Sequence, residues 1–203
     1  MKYGLSDVRD RLIKDVKGAY PTKWEAYQAA EVLGEDVFGS PKPHPNAVLN
    51  LFLEQNVRIA LPFASYRASI GGFPAITSDT PGTVLPRHTL AATTNGMHLV
   101  GGLMVQFAYA IVYDPNVVIL CADRKCFLSG GLFLLEHRRE ALRKLHEKLL
   151  AKRDGGELGP LSLGPLTCGG CTKRIQAAHD LGRSKCWERL PAMFSVAQSW
   201  DDV

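Results

Sequence analysis

The apolar positions near the start of the chain recur with the spacing of an amphipathic helix. Residues 23–34 place four apolar side chains on one helical stripe: Trp24, Tyr27, Ala30 and Leu33. Thr22 and Glu25 have the spacing of a capping box at the start of this helix, and Gly34 is a stop signal at its end. Charged and apolar residues also alternate over residues 1–20, which predicts a short amphipathic helix before it.

Prolines and glycines divide the apolar run that follows. Three prolines fall within five residues of FGSPKPHPN, so this segment is predicted to be a stiff, extended connector. Asn46 opens the run AVLNLFLEQNVRIALPFASYRA, and Pro62 is predicted to split or kink it into two helices. The pair Gly71 and Gly72 closes the second helix, and the turn-rich residues 73–86 are predicted to form a surface loop.

The second half of the chain carries longer apolar patterns. Residues 89–113 return to a long apolar pattern interrupted by three glycines, and Leu99–Tyr113 within it predicts a buried core helix. NVVILC, at 116–121, fits either a short strand or the buried end of a helix. Residues 131–153 predict the clearest helix, because leucines recur every seven residues and oppositely charged residues, such as Arg143 and Glu147, lie four apart.

The C-terminal segment combines a cysteine motif with a dense apolar end. LTCGGCTKR leads into a predicted short helix, TKRIQAAHDLG, and WERLPAMFSVAQSW comes soon after it. Five large apolar residues of this last stretch are predicted to form core that ties the tail down: Trp187, Leu190, Met193, Phe194 and Trp200. The alternative is an exposed patch that binds another protein, but patches of that size are uncommon on soluble monomers, which favours the core.

These patterns together predict a mostly α-helical protein. The expected fold is a single helical domain with at most one or two short strands and a cysteine-rich C-terminal tail packed on the core. Its expected parts are an N-terminal amphipathic segment at 1–20, a helical domain at 21–154, and a linker with the cysteine-containing tail at 155–203.

Composition and charge narrow the classes of function. The chain has 203 residues, of which 46% are apolar and 22% charged, and this is typical of a globular protein with a real core. Its net charge of +4, from 24 basic and 20 acidic residues, is too small and too mixed to indicate a nucleic-acid partner. The apolar run Leu99–Tyr113 is shorter than the roughly twenty residues of a bilayer span, so no membrane segment is expected.

The N-terminus and the cysteine count indicate an intracellular protein. The first residues are charged throughout and lack the apolar stretch of a secretory signal. Five cysteines are an odd number, which fits reduced thiols better than a disulfide framework. We therefore expect the protein in the cytoplasm or the nucleus, where thiols stay reduced.

Four of the five cysteines form two pairs with metal-ligand spacing. Cys121 and Cys126 make a C-x4-C pair, and Cys168 and Cys171 make a C-x2-C pair. Zinc takes four ligands at tetrahedral corners, and two such pairs from separate segments are a common source of thiolates. These residues predict one structural zinc ion, while Cys186 is predicted to be a small core hydrophobe.

Two other interpretations of the thiols stay open. Four cysteines can be buried in a core without meeting at a metal ion, because cysteine is among the most buried residue types. Alternatively, Cys168 and Cys171 form the active pair of a thiol-dependent oxidoreductase if they lie at a helix N-terminus. A redox site of the thioredoxin type also follows a strand, and SLGPLT, before the pair, has no strand pattern.

No local motif indicates another catalytic chemistry. The six histidines are scattered along the chain, and GxSxG, HExxH and GxxxxGK do not occur. Glycine pairs lack the strand–glycine–helix context of a nucleotide loop. In the predicted helix 131–153 acids interleave with bases, so a solvated helix face is expected there rather than a nucleic-acid contact.

Three stretches of the chain, taken in order, resemble a known family. IALPFASYRAS, at 59–69, is similar to a helix that follows the BTB fold in fungal BTB/POZ-domain proteins of the basidiomycete type. LPRHTL and the following Met97, His98 and Leu99 look like the next helices of that region. The two cysteine pairs and CWERLPAMFSVAQSW resemble the family's late C..C…W..LP..F.L..W pattern, which is the most specific part.

The resemblance covers roughly residues 22–203 and implies a helical interaction module without active-site residues. The BTB fold itself would precede this region, and only about twenty residues do, so the family's dimerisation surface and cullin-binding face are not carried over. The resemblance further implies an adaptor or scaffold that binds protein partners, and it implies that both cysteine pairs act together.

Overall fold

The computed structural model describes residues 20–33, 43–70, 72–113 and 168–203, together with Asp15, Arg143 and Glu147. Of these residues 75% are helical and none is in a strand, which confirms the mostly α-helical fold. Three predictions lie outside the described residues: the assignment of NVVILC, the domain boundary at 154/155, and nearly all of the helices at 1–20 and 131–153. Arg143 and Glu147, both helical and exposed, form the ion pair that their spacing predicts.

Six helices and two short 3-10 turns make up the described segments. The helices are α1 (Trp24–Leu33), α2 (Pro45–Glu54), α3 (Leu61–Ser69), α4 (Gly72–Ile76), α5 (Arg87–Tyr113) and α6 (Gly169–Met193). The 3-10 turns are Arg58–Ala60 and Trp200–Asp202. The chain divides into two compact units, a first unit of Met1–His98 with Trp187–Val203 and a second unit of Leu99–Cys186.

Helix α2 begins one residue before the position that the sequence predicts. Pro45 lies in its first turn, where the missing N–H of proline leaves no helical hydrogen bond unmade. His44 precedes it as the cap, and its Nδ1 accepts a hydrogen bond from the Asn46 backbone N–H at 3.2 Å. The prediction that Asn46 opens the helix is therefore wrong, and its side chain is instead fully buried.

The next apolar run divides into two helices, α2 and α3, as predicted, but the break lies at residues 55–60, before Pro62. Helix α2 ends in a Schellman motif, in which the Val57 N–H donates to the Phe52 carbonyl at 2.9 Å. Asn56, before Val57, has a left-handed backbone with φ of 52°, which asparagine tolerates better than most residues. Pro62 then lies in the first turn of α3, where proline is compatible with a helix.

Two predicted boundaries are corrected. The loop predicted at 73–86 includes most of α4, and α6 joins the predicted short helix to the first residues of the tail. The predicted helix end at Gly182 instead lies inside α6. A Cβ at this position would lie 2.8 Å from the Phe107 ring of α5, so glycine permits the close approach of that ring. Among the described helices, none combines the length and the apolar character that crossing a bilayer requires.

An aromatic group, which we call the Trp187 cluster, fills the core of the first unit. Its rings belong to Tyr20, Trp24, Tyr27, Phe52, Phe63, Tyr66, Trp187 and Trp200. Trp187, 1% exposed, stacks on Tyr27 with 4.6 Å between ring centroids and tilts against Phe63 at 5.3 Å. Burial raises the pKa of Tyr20 well above its ordinary value, an effect that the Arg67 charge partly offsets, so this hydroxyl is neutral.

The C-terminal tail contributes to this core as the sequence predicts. Its apolar residues Leu190, Met193 and Phe194 are all buried together with Trp187. Helix α5 comes so close to Phe194 that a Cβ on Gly96 would lie 2.3 Å from the ring. The glycine in NGM therefore allows the tail to pack against α5 within the first unit.

Trp200 compensates for a proline inside α6. Pro191 has no N–H, so the Trp187 carbonyl lacks the donor that a helix supplies four residues later. Trp200 Nε1 donates to this carbonyl at 2.8 Å, and the two indole rings stack with 5.5 Å between centroids. Trp187 Nε1 in turn donates to the Thr22 carbonyl at 3.1 Å. The hydrogen bonds of Trp187 and Trp200 and the stacking of their rings thus hold the end of α6 against the core.

Candidate functional site

One of the two predicted cysteine pairs lies at the start of α6. Cys168 is the N-cap, and its carbonyl accepts a hydrogen bond from the Thr172 N–H at 2.9 Å. Cys168 is half-buried, whereas Cys171, in the first turn, is 1% exposed. Cys121 and Cys126 lie outside the described residues. Two thiols three residues apart at one helix end can supply half of a tetrahedral zinc site, and the same placement is what thiol redox chemistry requires.

The buried face of α6 continues from Cys171 and includes two further polar side chains, His179 and Arg183. The buried residues of this face recur at helical spacing: Cys171, Ile175, His179, Gly182, Arg183 and Cys186. Arg183, only 3% exposed, donates from Nη1 to Asp180 Oδ1 at 3.0 Å. His179 follows Cys171 by roughly 12 Å along the helix axis, so the two cannot bind one metal ion. The described part of the chain holds no cluster of three or more potential metal ligands.

A second candidate site lies in the first unit between α4 and α5, and we call it the Phe73 groove. It is an open depression of about 450 Å³ lined by Phe73, Arg87, Leu90, Ala91, Thr94, Asn95 and His98. All of these except Phe73 belong to α5 and recur every three or four residues, so one stripe of that helix forms the floor. Phe73 itself is 57% exposed, although large aromatic side chains are usually buried.

The Phe73 groove has an apolar centre and polar ends. Phe73 and Leu90 provide apolar surface, while Arg87 and His98 lie roughly 16 Å apart along the helix. Helices α4 and α5 contain no aspartate or glutamate, and Asp79, in the segment between them, is exposed. The groove can therefore hold an apolar side chain and offers positive charge at the Arg87 end.

Asn46 fixes the end of the helix that carries Phe73. Its Nδ2 lies 3.0 Å from the Ala75 carbonyl, 3.2 Å from the Ile76 carbonyl and 3.0 Å from the Thr83 carbonyl. Ala75 and Ile76 are the last residues of α4, and Thr83 lies in the segment that leads to α5. Buried backbone carbonyls need hydrogen-bond donors, and one amide group supplies them here.

Asn50, one turn after Asn46, extends this arrangement toward the surface. Its Nδ2 donates to the Val84 carbonyl at 3.0 Å and to the Gly82 carbonyl at 3.3 Å. Gly82 has a φ of +82°, a left-handed conformation that glycine adopts without strain. Helix α2 therefore positions the whole segment between α4 and α5 through two asparagines on one face.

The sequence pattern predicts no functional role for Asn46 or Phe73. For Asn46 a signal does exist, because Asn46 and Asn50 are four residues apart and must share a helix face. For Phe73 no such signal exists, since its exposure depends on which distant segments cover it. Of the predicted zinc ligands, the described residues include only Cys168 and Cys171, which lie at one helix end.

No family model, no curated protein and no solved structure matches this chain. The thiol pair at the start of α6 and the Phe73 groove are therefore the features on which a functional proposal can rest.

Proposed function

We propose that this chain is a non-catalytic protein–protein interaction module that presents a rigid helical surface to a protein partner. The Phe73 groove carries the proposal, because it combines a large exposed aromatic side chain with an arginine beside an open depression. Aromatic side chains, phenylalanine among them, and arginine are enriched in the cores of protein interfaces. The asparagines of α2 hold the walls in place, so a partner would meet a preorganised surface.

The sequence resemblance to the helical region of fungal BTB/POZ-domain proteins supports the same role. Proteins of that kind are expected to act as adaptors or scaffolds, and the proposal assigns this chain the same class of activity. Its five cysteines fit a reducing compartment, so we place the module inside the cell, in the cytoplasm or the nucleus.

Site-specific photocrosslinking tests the interaction surface. A p-benzoylphenylalanine at Ala91, an exposed residue of the groove, should form a covalent adduct with a partner protein in cells that express the chain. The same crosslinker at Ala192, an alanine of α6 that is also exposed and lies outside the groove, is the matched control. Equal labelling at the two positions, or no adduct at Ala91, would contradict the proposal.

We further propose that one structural zinc ion is bound by Cys121, Cys126, Cys168 and Cys171. The placement of Cys168 and Cys171 at one end of α6 supports this ligand set, since a helix start is a rigid mount for two thiolates. The zinc would be part of the fold, because structural sites of this type contribute folding free energy directly.

Elemental analysis of the reduced protein tests the metal proposal, with one zinc per chain as the expected result. Cys171→Ser should lower the zinc content, and chelation should lower the melting temperature of the wild type. Cys186→Ser is the control that should keep its zinc, since Cys186 lies roughly 22 Å from Cys171 along α6. Protein without zinc whose thiols all react with an alkylating reagent in the native state would exclude the site.

A thiol-dependent oxidoreductase is the second candidate, and the N-cap position of Cys168 favours it. Helix N-termini stabilise a thiolate, which is the attacking species in disulfide exchange. The burial of Cys171 and the absence of a strand pattern in SLGPLT favour the metal instead. Insulin-disulfide reduction that Cys168→Ser abolishes would establish the enzyme, whereas no reduction by the wild type supports the interaction module.

A further inference from the structure

The charges around the Phe73 groove restrict the chemistry of its partner. Arg87 lines one end of the groove and His98 the other, and neither of the two helices that line it carries an acidic residue. An interface favours a partner of complementary charge and excludes one of like charge. A segment that carries carboxylates thus meets positive charge at Arg87 without meeting a carboxylate of α4 or α5.

The apolar centre of the groove adds a second requirement. Phe73 and Leu90 leave apolar surface facing solvent between the polar ends, and Ala91 is small enough to leave room above it. Burying a large apolar side chain there would stabilise a complex through loss of water-exposed area. The depression, of about 450 Å³, has room for a bulky apolar side chain of a partner.

We infer that the Phe73 groove binds an acidic peptide segment of a partner protein that inserts one bulky apolar side chain between its carboxylates. The inference rests on the proposed interaction function and names the class of partner. The apolar side chain packs on Phe73 and Leu90, and a carboxylate pairs with the Arg87 guanidinium, which binds carboxylates with two parallel hydrogen bonds.

Selection from a random peptide library displayed on phage tests this inference with the intact chain as bait. Peptides of about twelve residues are long enough to follow the α5 stripe as a helix. The enriched sequences should share an aromatic residue or leucine with aspartate or glutamate nearby. A synthetic peptide of the consensus should bind more weakly as ionic strength rises, because the paired charges are exposed.

Two variants test whether the consensus peptide binds in the groove. Phe73→Ala should weaken binding of the consensus peptide by about tenfold or more, since the aromatic anchor is lost. Arg87→Glu should weaken it by about fivefold or more, and a peptide with lysines in place of its acids should then bind this variant better than it binds the wild type. Both residues are exposed, so each variant should keep the helical circular-dichroism spectrum of the wild type.

Matched controls lie elsewhere in the same unit. Leu51→Ala removes an exposed apolar side chain and Arg189→Glu reverses an exposed charge, and neither residue lines the groove. Both should leave the affinity within about twofold of the wild-type value, as expected for changes outside a contact site.

Several results would overturn the inference. The inference is overturned if no sequence is enriched, if the enriched peptides lack acids, or if Arg87→Glu binds them unchanged. It is also overturned if a single-stranded RNA of about twelve nucleotides displaces the consensus peptide with steep salt dependence, since that would identify a nucleic-acid groove. A crosslinked partner at Ala91 together with peptides that lack acids would leave the interaction function standing and remove only this inference.

Discussion

The Trp187 cluster and the Phe73 groove are two aromatic regions of one compact unit, and they use aromatic side chains in opposite ways. Trp187 contacts rings from α1 and α3 and donates to Thr22, which lies 165 residues away in sequence. Phe73 lines an open depression together with α5 residues that follow within the next twenty-five positions. An aromatic residue therefore becomes core or contact surface according to whether a distant segment returns to cover it.

The two regions also differ in how their polar backbone groups are satisfied. In the Trp187 cluster, one indole N–H replaces the hydrogen bond that Pro191 cannot make. Beside the groove, the amide of Asn46 serves three carbonyls of α4 and the following segment. The core thus needs a ring that is both apolar and a donor, whereas the wall of the groove needs a donor that a small polar side chain provides.

The largest effect should come from removing the centre of the closed region. Trp187→Ala leaves a cavity among four rings and removes the donor to the Thr22 carbonyl, so we expect a loss of about 3–5 kcal/mol in the free energy of unfolding. Denaturant unfolding followed by circular dichroism measures it. Trp24→Ala, at a half-buried position of the same cluster, should cost clearly less, and equal losses would show that Trp187 is not central.

The next effect should come from the support of the open region. Asn46→Ala leaves three carbonyls without their side-chain donor, which we expect to cost about 2–3 kcal/mol. The same variant should reduce crosslinking from Ala91, because the C-terminal end of α4, the helix that carries Phe73, is no longer fixed. Asn50→Ala, whose bonds are exposed, should cost about 0.5–1 kcal/mol. Equal costs for the two asparagines would show that burial does not distinguish them.

The fold was largely predictable from the sequence because its signals are local. The start of a new helix near Pro62 follows from proline chemistry, since proline fits the first turn of a helix, and the core role of the tail follows from its density of large apolar residues. Helix ends were less predictable, since Gly182 ends no helix and Asn56, rather than a glycine, provides the left-handed residue after α2. Those outcomes depend on which ring or carbonyl lies opposite, and a one-dimensional pattern does not contain that information.

The candidate sites were less predictable for the same reason. The C-x2-C spacing singled out Cys168 and Cys171, which lie at the start of α6, while their predicted role as zinc ligands with Cys121 and Cys126 stays a prediction. The groove has no comparable spacing rule. Phe73 lies in a segment rich in glycine and proline, and its relation to Arg87 and His98 depends on the hydrogen bonds that Asn46 makes across the fold.

A smaller effect should separate the two hydrogen-bonding roles in the tail. Trp200→Phe keeps an aromatic ring but removes the donor to the Trp187 carbonyl, so we expect a loss of about 1–2 kcal/mol. In a Pro191→Ala background the helix regains its own N–H donor at that position. The cost of Trp200→Phe should then fall below about 0.5 kcal/mol in a double-mutant cycle. An unchanged cost in both backgrounds would show that Trp200 acts through ring stacking alone.

The smallest effect on stability should come from Phe73 itself. Phe73→Ala removes a side chain that is 57% exposed, so the free energy of unfolding should change by no more than about 0.5 kcal/mol. Phe63→Ala, which removes the same side chain from among four neighbouring rings, should cost about 3–5 kcal/mol. Unfolding curves of the two variants, together with crosslinking from Ala91, would separate stability from binding. Phe63→Ala should lower stability more than Phe73→Ala does, while Phe73→Ala should lower crosslinking without a loss of stability. A large stability loss for Phe73→Ala would mean that this ring belongs to the core, which would contradict the interpretation of the groove as a contact surface.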